Sequence, residues 1–223
     1  MKTLRICHLY GNLLNTYGDN GNLLMLQYHA KQAGYQVETK LVSLGDDFKA
    51  DDYDIVFIGG GQDYEQGIIA RDIGRLKDEL ERYIESDGVL LAICGGFQFL
   101  GQYYMTAEGQ KIECLGIFPH KTERQEGTRF IGDIEIYDEV NQVTYYGFEN
   151  HNGVTTLGPN QAPFGRVVTG HGNNGQDKTE GMHYRNTYGS YFHGPLLVRN
   201  EGLAKHLVAL AIANHEAKKA SKV

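Results

Sequence analysis

Residues 88–101 read GVLLAICGGFQFLG, and no other stretch restricts the fold as much. An apolar run enters a Cys-Gly-Gly turn and leaves it as a short helical segment, so a buried strand must pass directly into a helix. A strand with no polar alternation has both faces covered, the condition of a parallel strand inside an α/β sheet. The residues around it repeat the pattern. Residues 4–10 read as a strand, followed by a helix from about Asn20 that Gly34 stops. YQVETKLV at 35–42 and the nearly all-apolar DIVFIGG at 54–60 read as the next strands. An amphipathic helix is predicted over about 66–85, with Ile69, Ile73, Leu76, Leu80, Tyr83 and Ile84 on its buried side, and Gly88 ends that connection.

Beyond Gly116 the texture changes to short alternating strands with turn residues between them (RFIGDIEIYD, VTYYGFENH, GRVVT, TYGSYFHG), which predicts a mixed or antiparallel extension of the sheet. The stretch at 170–177 reads as a loop. EGLAKHLVALAIANHEAKK closes the chain as a helix, with Leu203, Leu207, Leu210 and Ala211 at helical spacing. A length of 223 residues with 41% hydrophobic content supports one core, so residues 1–223 are read as a single domain of mostly parallel α/β architecture.

Charge and cysteine usage remove several function classes. With 28 acidic against 21 basic residues the formal charge is −7, which repels a phosphate backbone, and the one basic cluster, Lys218, Lys219 and Lys222, reads as solvated helix surface. Nucleic acid is therefore not an expected partner. Cys7, Cys94 and Cys114 are odd in number and lack CxxC spacing, so neither a disulfide framework nor a thiolate zinc site is expected, and reduced thiols point to the cytoplasm. No apolar run approaches the ~18 residues of a membrane span, and no signal region precedes the first strand. Histidines and carboxylates are scattered without metal-ligand spacing.

Cys94 sits where a nucleophile sits in a strand-to-helix elbow. Its glycine neighbours relieve a crowded turn, the helix N-terminus favours a thiolate, and the Gly95 N–H points toward a developing oxyanion. The competing reading is an ordinary buried small side chain, which is the reading adopted for Cys7 and Cys114. A thiolate needs a proton partner, and nine histidines compete. His193 ends a strand, YGSYFHGP, where Gly194 and Pro195 force a turn; strand carboxyl ends are where functional groups gather in such sheets. His151 in FENHNG is the close rival. In IGGGQDYEQ the N–H of Gly60 or Gly61 is a candidate second oxyanion donor; no Lys-Ser/Thr follows to make it a phosphate loop.

GGGQD after one strand, AICGGFQFLG around the cysteine, GFENHNG and FHGPLL stand in an order that resembles the class I glutamine amidotransferases, in particular the glutaminase domains related to cobyric acid synthase. The resemblance spans nearly the whole chain and implies their three-layer fold, with helices on both faces of the sheet. It implies that Cys94 is the nucleophile and His193 the general base and acid, that Gly60 or Gly61 with Gly95 holds the oxyanion, and that Gln98 contacts the substrate, L-glutamine. It also implies an arginine for the substrate α-carboxylate, and Arg129 in TRFIG is the candidate, since a guanidinium binds a carboxylate through two parallel hydrogen bonds. YGDNGN and the stand-alone length resemble most the glutaminase subunits that feed ammonia to a separate Mur-ligase-like synthetase in a heterodimer, which amidates the lipid II stem peptide in peptidoglycan synthesis. In that arrangement this chain carries no cofactor, and ATP and magnesium belong to the partner.

One position departs from the family pattern. A glutamate two residues after the histidine is expected to orient it, and here that position is Pro195. The orienting group must then come from elsewhere: from the partner, which is the expectation adopted, from a backbone carbonyl, or from an acid within the chain such as Glu149 or Asp19. The alternatives for function are a peptidase-like or glyoxalase-like cysteine hydrolase on the same fold, and a regulatory subunit without turnover.

Overall fold

A computed structural model describes residues 2–220. Its first half alternates β1 (Thr3–Leu9), α1 (Asn20–Gln32), β2 (Gln36–Val42), β3 (Ile55–Ile58), α2 (Asp63–Ala70), α3 (Lys77–Glu85), β4 (Val89–Ile93) and α4 (Gly95–Leu100). Short strands follow: β5 (Tyr103–Met105), β6 (Lys111–Glu113), β7 (Lys121–Arg124), β8 (Phe130–Asp138), β9 (Val143–His151), β10 (Gly153–Thr156), β11 (Gly165–Thr169) and β12 (Thr179–Glu180). The chain then returns through β13 (Met182–Tyr184), β14 (Thr187–Ser190) and β15 (Phe192–His193) to α5 (Leu196–Arg199) and α6 (Glu201–Ala220). Lys218 and Lys219 lie on α6, while Lys222 lies outside the described residues.

The central sheet has the order β13-β14-β4-β3-β1-β2 and is parallel apart from the β13 edge. All residues of β3 and β4 are fully buried, as their unbroken apolar sequences require. The period of two then sorts them into layers. Val56, Ile58, Leu90 and Ala92 meet Ile69, Leu80, Tyr83 and Phe97 from α2 to α4 on one face. Ile55, Phe57, Leu91 and Ile93 meet Leu23 and Leu26 of α1 and Leu203 and Leu207 of α6 on the other.

The helix predicted over 66–85 forms as two, α2 and α3, joined by a tight turn at Ile73–Leu76. All six predicted buried residues are buried, because both pieces keep one face on the sheet. The interruption centres on Asp72, whose carboxylate accepts from the Tyr10 hydroxyl, the Gly45 N–H and Arg75. The later strands form β13, antiparallel at the sheet edge, and two further sheets: β10-β7-β5-β6, in which β5 and β7 run parallel, and the antiparallel β12-β11-β8-β9-β15. Four chain segments leave carboxyl ends of parallel strands together: the turn after β1, the glycine loop after β3, Cys94 after β4 and Tyr191–His193 after β14.

Candidate active site

Cys94 lies between β4 and α4 at φ 51°, ψ −106°, a conformation that an L-residue holds only under constraint from its surroundings. The constraint is visible: its N–H donates to Ser190 O at 2.8 Å, and its own carbonyl accepts from Gln98 N at 2.9 Å to start α4. Gly96 packs on β3 so closely that a Cβ there would lie 2.8 Å from Ile58 O, which explains the second glycine of the elbow. Gly95 opens the helix, where its N–H has no intrahelical acceptor. Cys94 is half-buried at the wall of a cavity of about 510 Å³. Burial pushes the Cys7 thiol well up and the Cys114 thiol up to about 12, so both remain inert packing groups.

His193 is fully buried at the end of β15. Its Nδ1–H donates to Asp19 Oδ1 at 3.0 Å, and its Nε2 has no closed hydrogen bond. Burial works against the imidazolium, but the hydrogen bond and charge of Asp19 and the interaction with the Cys94 sulfur outweigh it and hold the pKa up to about 10. His151, the rival, lines the cavity as His193 does not, yet its Nδ1–H donates to Gly153 O at 2.8 Å and its ring stacks on Tyr191 at 3.7 Å. Burial lowers its pKa despite Glu149 nearby. Glu149 itself is committed elsewhere, accepting from the N–H groups of His171 and Gly172 and from the His171 ring, which anchors the 170–177 loop.

The acid absent at position 195 thus has a counterpart inside the chain, and the ground for expecting the partner to supply it falls away. Asp19 is fully buried, and its second oxygen, Oδ2, accepts from Gly60 N at 2.7 Å. This corrects the expectation for Gly60, whose N–H is already engaged; Gly61, which lines the cavity, remains as the loop's candidate donor. Gly60 cannot be replaced without displacing the site: a Cβ would lie 3.1 Å from each of Asp19 Oδ2, Cys94 Cβ and His193 Cε1.

Gln98 and Arg129 both reach the cavity. The Gln98 amide is held by two buried partners, accepting from Gln66 Nε2 at 2.9 Å and donating to the Tyr191 hydroxyl at 3.2 Å. Arg129 donates through Nε to Asn150 Oδ1 at 3.0 Å and through a terminal nitrogen to Asn150 O at 3.2 Å. Asn150 in turn donates to the hydroxyl of Tyr17, whose ring stands edge-on to His193 at 4.9 Å. Gln66, Tyr17 and Asn150 were not singled out from the sequence, although each lies inside a motif that was: IGGGQDYEQ, YGDNGN and FENHNG. Asp63 and Glu108 bring negative charge to the same cavity as Arg129, giving it both signs that a zwitterionic amino acid presents. Among the described residues no group of three His, Cys, Asp or Glu is placed to hold a metal ion, and no helix is long and apolar enough to cross a membrane.

A thiol on a strained elbow, an imidazole beside it and a carboxylate behind the imidazole form an arrangement suited to acyl transfer. The fold defines the class. Over 96% of this chain and 99% of the other it superposes on a chain of the PurLQS complex from Thermotoga maritima with a TM-score of 0.63 at 18% identity, a likeness of fold. It is the three-layer fold of the class I glutamine amidotransferases. Residues 5–201 match the CobB/CobQ-like glutamine amidotransferase domain, and the chain belongs to that family. It is 57% identical over 209 residues, 94% of this chain and 80% of the other, to the protein named lipid II isoglutaminyl synthase (glutamine-hydrolyzing) subunit GatD of Streptococcus pneumoniae. It is 39% identical over 211 residues, 95% of this chain and 85% of the other, to the subunit of the same name from Staphylococcus aureus.

Proposed function

We propose that this chain is the glutaminase subunit of a lipid II isoglutaminyl synthase, hydrolysing L-glutamine at Cys94 and delivering ammonia to a Mur-ligase-like synthetase subunit (MurT). The observation that carries the reading is the series Cys94, His193, Asp19 opening on a cavity with Arg129 in its wall. The identity to subunits bearing that name supports the choice of acceptor. Arg129 takes the α-carboxylate, Gln98 lies alongside the bound amino acid, and the side-chain amide is presented to sulfur. The Cys94 thiolate adds to the amide carbon, and the N–H groups of Gly61 and Gly95 receive the oxyanion. The His193 imidazolium gives its proton to the departing nitrogen, leaving ammonia and a γ-glutamyl thioester. Water, deprotonated by His193, then cleaves the thioester to glutamate and restores the thiol.

No cofactor is needed for these steps in this chain. ATP and magnesium serve the partner, which activates the D-glutamate carboxyl of the stem peptide and amidates it to D-isoglutamine in the cytoplasm. Cys94→Ala tests the reading, with the purified heterodimer assayed for glutamate release and for stem-peptide amidation using glutamine or ammonium. The variant should release no glutamate and amidate only from ammonium. Glutamate release at the wild-type rate by folded Cys94→Ala would overturn the assignment.

A further inference from the structure

We infer that Asp19, carried by the YGDNGN segment, is the positioning residue for both the general base and the oxyanion loop, in place of the glutamate absent two residues after His193. An aspartate in the N-cap position of a helix ordinarily turns its carboxylate back onto the helix's own N–H groups. Asp19 precedes α1 and makes no such bond. Both of its oxygens point into the site instead, Oδ1 accepting from His193 Nδ1–H at 3.0 Å and Oδ2 from Gly60 N–H at 2.7 Å. Neither remaining buried acid near the elbow competes for the role. Glu149 accepts from His171 and Gly172, and Glu180 accepts from Ser190 Oγ and Tyr191 N.

The rest of the segment holds Asp19 still. Thr16 N donates to Gly60 O at 3.0 Å, tying the turn after β1 to the glycine loop from a second side. Gly21 lets α1 approach the residue that displaced the expected glutamate, since a Cβ there would lie 2.4 Å from Pro195 Cγ. Asn22 Oδ1 accepts from Leu197 N at 2.8 Å, fastening α5 directly after His193. One turn therefore grips the glycine loop, the histidine and the segment following it. With Nδ1–H fixed on Asp19, the proton-accepting nitrogen is Nε2, as a base serving Cys94 requires. The groups facing the imidazole are Asp19, Cys94, the edge of Tyr17 and, more distantly, His151.

Asp19→Asn is the decisive variant. Gly60 N–H still requires an acceptor, so the amide oxygen stays there and the NH₂ faces Nδ1, which forces the proton onto Nε2 and blocks the base. Turnover of glutamine should fall by about 10²–10⁴-fold with KM little changed. The pH profile of Cys94 alkylation by iodoacetamide should move upward, a readout that a merely structural aspartate would leave in place. On the wild-type chain labelled with ¹⁵N-histidine, His193 should show Nδ1 protonated with a strongly downfield proton, assigned by its loss in His193→Gln. The turnover measurement rests on the proposed glutaminase reading, whereas alkylation and the histidine spectrum report on Cys94 and His193 directly, so the two failures are distinguishable. A wild-type alkylation profile in folded Asp19→Asn would overturn the inference. If that variant does not fold, a wild-type His193 protonated on Nε2 and bare at Nδ1 would overturn it equally.

Discussion

Arg129 is the residue whose role is most open to measurement. It is partly held in place by Asn150 through two hydrogen bonds, so its guanidinium is pre-oriented before any carboxylate arrives. Loss of one charge-assisted contact to a substrate costs about 1.5–3 kcal/mol. Arg129→Ala should accordingly raise KM for glutamine roughly 10- to 100-fold, with a smaller effect on turnover. Unchanged KM would return Arg129 to a role in holding Asn150 and Tyr17. The other arginines in reach of the argument are committed: Arg124 donates to Ala107 O, and Arg166 pairs with Glu139. At this scale the sequence makes Cys94 legible, because the strand, the glycines and the helix that activate it are contiguous. His193 is legible through the strand end it occupies. Asp19 is legible only as one candidate beside Glu149 and the partner, since 174 residues separate it from His193 and only the folded sheet brings the turn after β1 beside β15. Which loop glycine keeps a free N–H was equally hidden, because it depends on where the Asp19 side chain points.

The connection between β14 and β15 must carry His193 from one sheet to another and hold it there. Glu180 does this from β12, accepting from Tyr191 N at 2.7 Å and from Ser190 Oγ, while Ser190 Oγ also accepts from Phe192 N. Burial raises the Glu180 pKa to about 8, against hydrogen bonds that favour the carboxylate. The native state thus holds a proton on Glu180 that the unfolded chain, titrating near 4.5, gives up earlier. Between those values the unfolded state binds fewer protons, so this group's contribution is fully present below about pH 4.5 and is lost as pH rises through about 8. Glu180→Gln keeps an acceptor for Tyr191 and removes the titration. Its melting temperature should exceed that of the wild type by a few degrees at pH 9, with the difference shrinking toward pH 5; a pH-independent difference would contradict the account. Elements of this kind are only partly readable in advance. Periodicity identified the buried face of residues 66–85 but not the break at Asp72, because the carboxylate contacts that end α2 come from Tyr10 and Gly45. Alternation likewise found the later strands without naming their partners: RFIGDIEIYD, VTYYGFENH and GRVVT share one additional sheet, while TYGSYFHG divides into β14 of the central sheet and β15 of that additional one.

Across the whole molecule, three loops from separate parallel strands line one cavity, a fourth brings His193 beside Cys94, and the third sheet brings Arg129 and Asn150 to the cavity wall. Such an arrangement separates scaffold from candidate chemistry: β3 and β4 are wholly buried, and Gly61 and Cys94 sit on the segments that leave them. Because Asp19, Cys94 and His193 all belong to this chain, the thiol should be poised for attack before any partner binds. The most direct test of that claim is intact-mass analysis of the isolated chain after exposure to a glutamine-mimicking chloroketone, followed by peptide mapping. The account predicts one adduct per chain, located on Cys94, with Cys7 and Cys114 unlabelled and with protection by L-glutamine but not by L-glutamate's α-amide isomer. Labelling distributed over the three cysteines, or labelling of Cys94 that L-glutamine does not slow, would contradict it.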